Sequence, residues 1–171
     1  ASLIDQILEL SRLESGRNLT LKHINLSDIL QNLATDYEKL ASAKGIKFSC
    51  EIAPDVEILG DELMISRLAD NFLSNALKFA ATKIELNLTA SKTQAILSVK
   101  DDGAGISQKD RELIWNKFYQ ADSSRNKNAN TGSGLGLAIA ANIAKIHGAK
   151  LGVKSEAGAG SEFWAEFELA R

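Results

Sequence analysis

The stretch "TGSGLGLAIA", Thr131–Ala140, sets three glycines before an apolar helical run. Glycines permit positive φ and close backbone approach. A helix starting just beyond them presents free N–H groups to an anion. A P-loop needs a Lys after its glycines, and none follows here. A dinucleotide fingerprint needs a preceding strand and a third glycine where Leu137 stands. What precedes is "ADSSRNKNAN", a polar segment that reads as a mobile loop. A protein-kinase glycine loop lies in an N-terminal hairpin, whereas this one comes late in the chain and before a helix. Taken alone, the stretch stays open between a phosphate cradle and a glycine-rich turn ahead of a buried helix.

Two other stretches bear on that choice. In "DNFLSNALKFA", Asp70–Ala80, the residues Asn71, Asn75 and Lys78 fall at i, i+4 and i+7. They share one helix face within roughly 60°. The apolar stripe of the same helix is Ile65, Leu68, Phe72, Ala76 and Phe79. Two Asn beside that stripe are poor core residues, because buried amides need partners. Amide oxygens near an ammonium suit a hydrated Mg²⁺ and its phosphates, since Mg²⁺ keeps several waters and takes few protein ligands. A solvated polar face is the commoner meaning of such a pattern. In "VKDDGAGIS", Val99–Ser107, a strand ends in two carboxylates and enters a G-x-G turn. An Asp there can accept from an exocyclic amine such as that of adenine, and the glycines let a flat ring pack on the backbone. An acidic turn capping the next element is the alternative. A calcium loop would need more oxygen ligands than Asp101 and Asp102 supply.

The rest of the chain frames these motifs. Its 171 residues suit one ordinary domain with a small appendage. With 44% hydrophobic and 25% charged residues it reads as soluble and globular. A net charge of -2 argues against non-specific nucleic-acid binding. The single Cys50 excludes an internal disulfide and suits a reducing, cytoplasmic compartment. No apolar run approaches the roughly 20 residues of a membrane span, and no signal peptide is evident. The absence of an initial Met and the abrupt helical start suggest a cut fragment. Residues 2 to 15 carry a helical stripe through Leu3, Ile7 and Leu10, which predicts weak self-association. "RNLTLKHINLSD" reads as an extended connector, with Ser27 as N-cap of a helix that Gly45 stops. "IKFSCEI" and "DVEIL" read as strands, and a helix runs from about Asp61 to Phe79. "KIELNLTA" and "QAILSVKDD" alternate as a hairpin does. "QKDRELIWNKFYQ" reads as a short amphipathic helix, and "LGLAIAANIAKIH" as an apolar one ending at Gly148. "KLGVKSE" and "SEFWAEFEL" are two further strands. The sum is an α/β (α+β) two-layer sandwich. Its mixed, mainly antiparallel sheet is covered on one face by about three helices.

In this order and spacing, the stretches resemble the catalytic ATP-binding domain of bacterial sensor histidine kinases. That domain belongs to the superfamily shared with gyrase, the heat-shock chaperone ATPase and MutL. "NFLSNALKF" resembles its N box, "DDGAGI" its G1 box, "IWNKF" its F box and "TGSGLGLAIA" its G2 box. "GAGSEFWAEFEL" resembles the final glycine-containing segment, and "LIDQILELSRLESGRNLTL" the segment that leads into the domain. The resemblance implies that residues 1–16 are the end of a dimerisation and phosphotransfer helix, 17–26 a connector, and 27–171 the catalytic domain.

The resemblance also implies residue roles. Asn75 would coordinate Mg²⁺, while Asn71 and Lys78 would contact phosphates. Phe79 would line the adenine side. Asp101 would bind the adenine amine, helped by a water near Ser161, with Gly103, Gly105 and Ile106 shaping that pocket. Tyr119 would contact the nucleotide. Gly132, Gly134 and Gly136, with the backbone of Leu135 and Leu137, would close over the phosphates. Residues 119–131 would form a lid from which Arg125 or Lys127 meets them. The cofactors implied are ATP and Mg²⁺. The implied partners are a phospho-acceptor hairpin of the same homodimeric kinase and a response-regulator receiver domain. Neither nucleic acid nor direct membrane contact is implied for this fragment. Four positions depart from the pattern: Phe79 where Tyr is often found, Trp115 for a common Phe, Gln120 for a frequent Arg, and Ala149 for a second Gly. No phospho-acceptor helix is evident, and His147 reads as a helix-terminal capping residue. A gyrase- or MutL-type ATPase would carry a Glu where Asn71 stands. A serine-kinase anti-sigma factor and a non-catalytic nucleotide-sensing module are the other readings.

Overall fold

Ser2 starts the first helix, α1 (Leu3–Glu14), with a capping box: its hydroxyl accepts from the Asp5 N–H while the Asp5 carboxylate accepts from Ser2. The computed structural model describes residues 2–16, 19, 21–121 and 133–171. Strand β1 (Lys22–Asn25) leads directly into α2 (Leu26–Ala43). β2 (Lys47–Ile52) and β3 (Glu57–Gly60) follow, then α3 (Glu62–Phe79), whose N-cap Asp61 accepts from the Met64 N–H. The expected hairpin is β4 (Lys83–Ala90) and β5 (Gln94–Asp101). Among the described residues a 3-10 turn (Leu113–Trp115) comes next, then α4 (Gly136–Ile146), β6 (Lys150–Ser155) and β7 (Ser161–Glu168).

The main sheet has the order β2-β4-β5-β7-β6, with β2 parallel to β4 and the other pairs antiparallel. This is the mixed, mainly antiparallel sheet that the alternation predicts. Period-2 burial along β4, β5 and β7 turns Ile84, Leu86, Leu88, Leu97, Val99, Phe163 and Phe167 inward. They meet the apolar stripes of the helices: Leu30 from α2, Ile65, Leu68 and Phe72 from α3, and Ile139 and Ile143 from α4. Full burial of each large side chain contributes about 1.5–3 kcal/mol. Phe72, Phe163 and Trp115 form an aromatic chain, with centroids 5.6 and 5.7 Å apart, that joins α3, the sheet and the 3-10 turn.

Several local expectations are corrected. The connector holds a strand: β1 pairs antiparallel with β3 in a separate two-stranded sheet, burying Ile24 and Ile58. Asn25, not Ser27, caps α2 and accepts from the Asp28 N–H. Ser27 is buried; its hydroxyl donates to the Ala53 carbonyl and accepts from the Val56 N–H, tying α2 to the β2–β3 turn. "QKDRELIWNKFYQ" is not a continuous helix. Asp110 accepts from the Ser107 hydroxyl and from the Tyr119 hydroxyl, which draws both ends of the segment together. Phe118 takes a positive φ of 61°, where no helix continues. The stripe on α1 is also split: Leu10 and Leu13 are buried against the core, while Leu3, Ile4, Ile7 and Leu8 stay exposed.

Candidate nucleotide site

The last turns of α3, the turn after β5 and the start of α4 converge on one face of the helical layer. On α3, Asn71 is 7% exposed, Asn75 is half-buried and Lys78 is exposed. The Asn71 Nδ2 is buried with no hydrogen-bond partner among the described residues. Its Oδ1 lies against Gly136: a Cβ at that position would sit 3.3 Å away. Gly136 begins α4, and among the described residues no side chain caps that helix. An orphaned buried amide therefore stands beside uncapped backbone N–H groups. Each buried unpaired donor of this kind costs about 1–3 kcal/mol. Such a cost persists where a ligand supplies the missing acceptor. Lys78 carries its ammonium 5.3 Å from the Phe79 ring centroid, and desolvation lowers its pKa.

The two carboxylates at the end of β5 separate completely in role. Asp101 is 3% exposed, and one oxygen accepts from the Gly103 N–H at 2.8 Å. The other has no hydrogen-bond partner among the described residues. Burial pushes its pKa up to about 6, opposed by the Gly103 bond and aided by the neighbouring Asp102 charge. Asp102 faces the other way. Partial burial would raise its pKa, but bonds from the Thr82 hydroxyl and the Ala81, Thr82 and Lys83 amides hold it well below the carboxylate range. It clamps the chain leaving α3, whereas the second Asp101 oxygen has no hydrogen-bond partner among the described residues and keeps some solvent access.

Close approach fixes the G-x-G turn. A Cβ on Gly103 would sit 2.1 Å from the Phe79 carbonyl, and one on Gly105, at φ +73°, would sit 1.9 Å from the Glu156 carbonyl. Both clashes are with backbone, so no side-chain movement relieves them. Ile106 donates its N–H to Ser155 Oγ at 2.7 Å, and that hydroxyl lies 2.9 Å from Ser161 Oγ. Ser161 pairs with Asp101 across β5 and β7. The hydroxyl pair therefore borders the carboxylate, where Ser161 is expected. Ser155 carries no sequence signal: nothing in "KLGVKSE" marks it.

Tyr119 is held by Asp110 at the edge of this region. The Gly134 carbonyl accepts from the Phe118 N–H at 3.0 Å, and Leu135 is fully buried with Leu137 partly so. Gly132, Arg125 and Lys127 lie outside the described residues, as does most of the segment 119–131. His147 caps as expected and does more. One ring nitrogen meets the Ile143 carbonyl at 2.7 Å and the other accepts from the Asp61 N–H at 3.1 Å, tying the end of α4 to the start of α3. Among the described residues no cluster of three or more His, Cys, Asp or Glu side chains could hold a metal ion. Among the described residues no helix is long and apolar enough to cross a membrane.

Known proteins share this architecture. Sensor protein GacS of Pseudomonas syringae pv. syringae is 34% identical over 180 residues, spanning 99% of this chain and 20% of that protein. Sensor histidine kinase RppB of Synechocystis sp. is 34% identical over 173 residues, covering 99% and 38% respectively. The chain thus spans well under half the length of these curated relatives. A crystal structure of full-length ShkA in complex with AMPPNP superposes with a TM-score of 0.86 at 31% identity, over 98% of this chain and 35% of that one. The family described as histidine kinase-, DNA gyrase B-, and HSP90-like ATPase matches residues 60–171, from the β3–α3 junction to the end of β7 and beyond. By that match and by its fold, the chain belongs to the histidine kinase-, DNA gyrase B-, and HSP90-like ATPase family, as an ATP-binding catalytic domain of the sensor histidine kinase type.

Proposed function

We propose that this chain binds Mg·ATP between α3, the Asp101 turn and the start of α4. Its γ-phosphoryl group then passes to a histidine on a helical hairpin of a homodimeric kinase, and onward to a receiver-domain aspartate. One observation carries the site: the buried Asn71 amide, without a partner among the described residues, beside an α4 N-terminus that none of their side chains caps. In this reading the free oxygen of Asp101 accepts the adenine amine, and the Gly103 N–H holds the carboxylate in place. Ser155 Oγ donates to the Gly160 carbonyl and accepts from Ile106 N–H and Ser161, so Ser161 is the hydroxyl left to accept from a bridging water. Asn71, Lys78 and the first N–H groups of α4 hold phosphate oxygens, with Phe79 on the adenine side and Tyr119 at the rim. The residues suit Mg²⁺, which takes few protein ligands; Asn75 would hold it, and the ion would neutralise phosphate charge. Arg125, Gly132 and the rest of the 119–131 segment would complete the phosphate side. Residues 1–16 would belong to the hairpin, 17–26 to a connector and 27–171 to the catalytic domain, working in the cytoplasm.

Catalysis here is positioning and charge neutralisation, since none of the placed groups is a nucleophile or a strong base. The Asn71 amide cannot take a proton from water near neutral pH. Water is therefore a poor acceptor, which separates this reading from a gyrase- or MutL-type hydrolase. Calorimetry with Mg·AMPPNP tests it: absence of binding by the unaltered chain refutes it. Steady multiple turnover with water would overturn the kinase reading in favour of the hydrolase.

A further inference from the structure

Helix α1 makes polar contacts with three separate elements of the candidate site. Gln6 Oε1 accepts from the Ser133 hydroxyl, next to the glycine pair that opens α4. Glu14 meets Lys117 Nζ at 2.5 Å, just before the Phe118 N–H that bonds the Gly134 carbonyl. Glu9 meets Arg67 at 3.2 Å on α3, and Arg67 reaches Asp70, the residue before Asn71, at 3.5 Å. Asp70 in turn accepts from the Tyr37 hydroxyl at 2.6 Å, so this contact is anchored to α2. Leu10 and Leu13 bury beneath these groups.

Residues 117 and 133 flank one segment of chain, and α1 holds both flanks. The same helix holds α3 one turn ahead of the orphaned amide. We infer that α1 braces the phosphate side of the nucleotide site, so that docking of α1 and binding of nucleotide strengthen each other. This rests on the nucleotide reading above. The Glu14–Lys117 pair is exposed and the Glu9–Arg67 pair partly so, and solvent-screened pairs stabilise by only about 0–1 kcal/mol each, so the brace adds little to folding. Its effect is on pre-organisation: the start of α4 and the Asn71 turn are held in their binding arrangement before the ligand arrives. Linkage makes this reciprocal, with the same factor read from either side.

The test is a triple variant, Gln6→Ala, Glu9→Ala and Glu14→Ala, of surface residues that leave Leu10 and Leu13 in place. Calorimetry with Mg·AMPPNP should show Kd raised at least about fivefold, the lower end of typical couplings. In the unaltered chain, Mg·AMPPNP should slow hydrogen exchange of α1 amides, and in the triple variant that protection should vanish. A charge-swapped pair, Glu14→Lys with Lys117→Glu, should bind more tightly than either single change. Unchanged Kd in the triple variant overturns the brace, whether or not α1 is released. Failure of the unaltered chain to bind nucleotide removes the nucleotide reading and the coupling together.

Discussion

Protonation of Asp101 should switch off nucleotide binding just below neutral pH. The carboxylate is 3% exposed, and burial raises its pKa to about 6. If the ionised form is the one that accepts the adenine amine, the competent fraction at pH 5 is about one in eleven, and Kd rises roughly tenfold over its plateau value. That is about 1.4 kcal/mol. The sign for folding is opposite. An acid whose folded pKa lies above its unfolded value binds more protons when folded. Its stability is full at low pH and is lost as pH rises through about 6. At pH 7 the buried charge therefore costs the unliganded chain up to about 3 kcal/mol. Asp101→Asn should accordingly lose affinity while its melting temperature at pH 7 holds or rises. Nucleotide phosphates also titrate, with a pKa near about 6, so the assay is a difference. Calorimetry from pH 5 to 8 on the unaltered chain and on Asp101→Asn isolates the Asp101 contribution. Parallel pH profiles for the two proteins, or an Asp101 carboxyl that titrates by NMR near 4, would exclude a role for Asp101 ionisation in binding.

Other outcomes follow from the same geometry. Gly103→Ala should abolish nucleotide binding and lower stability by about 1–3 kcal/mol, because its Cβ would sit 2.1 Å from the Phe79 carbonyl; a wild-type melting curve would contradict the close approach. Ser27→Ala should cost about 2–3 kcal/mol in urea unfolding, since it strands the Val56 N–H and the Ala53 carbonyl. His147→Ala should destabilise by about 1–3 kcal/mol by leaving the Asp61 N–H unpaired, yet the acceptor role it would lose in phosphotransfer should be nil. Asn75→Asp should weaken Mg·AMPPNP binding measured by calorimetry, and unchanged affinity would remove Asn75 from the site.

The division between sequence and tertiary structure is clearest at Asp101 and Asp102. Both are visible as a carboxylate pair before glycines, and the sequence does not tell them apart. Successive residues of extended chain point to opposite sides, so Asp101 is buried and the other clamps the Ala81–Lys83 amides. The period-2 strands and the i, i+4, i+7 spacing of Asn71, Asn75 and Lys78 were legible because they are local properties of the backbone. The glycine stretch was legible as well, but its partner was not. Gly136 faces the Asn71 amide only because α3 and α4 pack side by side.

What failed at the sequence level failed for the same reason. "QKDRELIWNKFYQ" carries helical periodicity, yet Asp110 bonds Ser107 and Tyr119, and those bonds outweigh propensity. Ser27 is a good N-cap by type, yet its hydroxyl goes to Ala53 and Val56, which only the β2–β3 turn brings near. Ser155, the bond from His147 to the Asp61 N–H and the polar partners of α1 carry no local signature. The sequence by itself determined the elements, the sheet class and which residues share a face, because those follow from side-chain period and glycine placement. Tertiary structure alone decided which carboxylate stays free, which amide is left unpaired and what α1 touches, because each depends on residues distant in the chain meeting in one desolvated place.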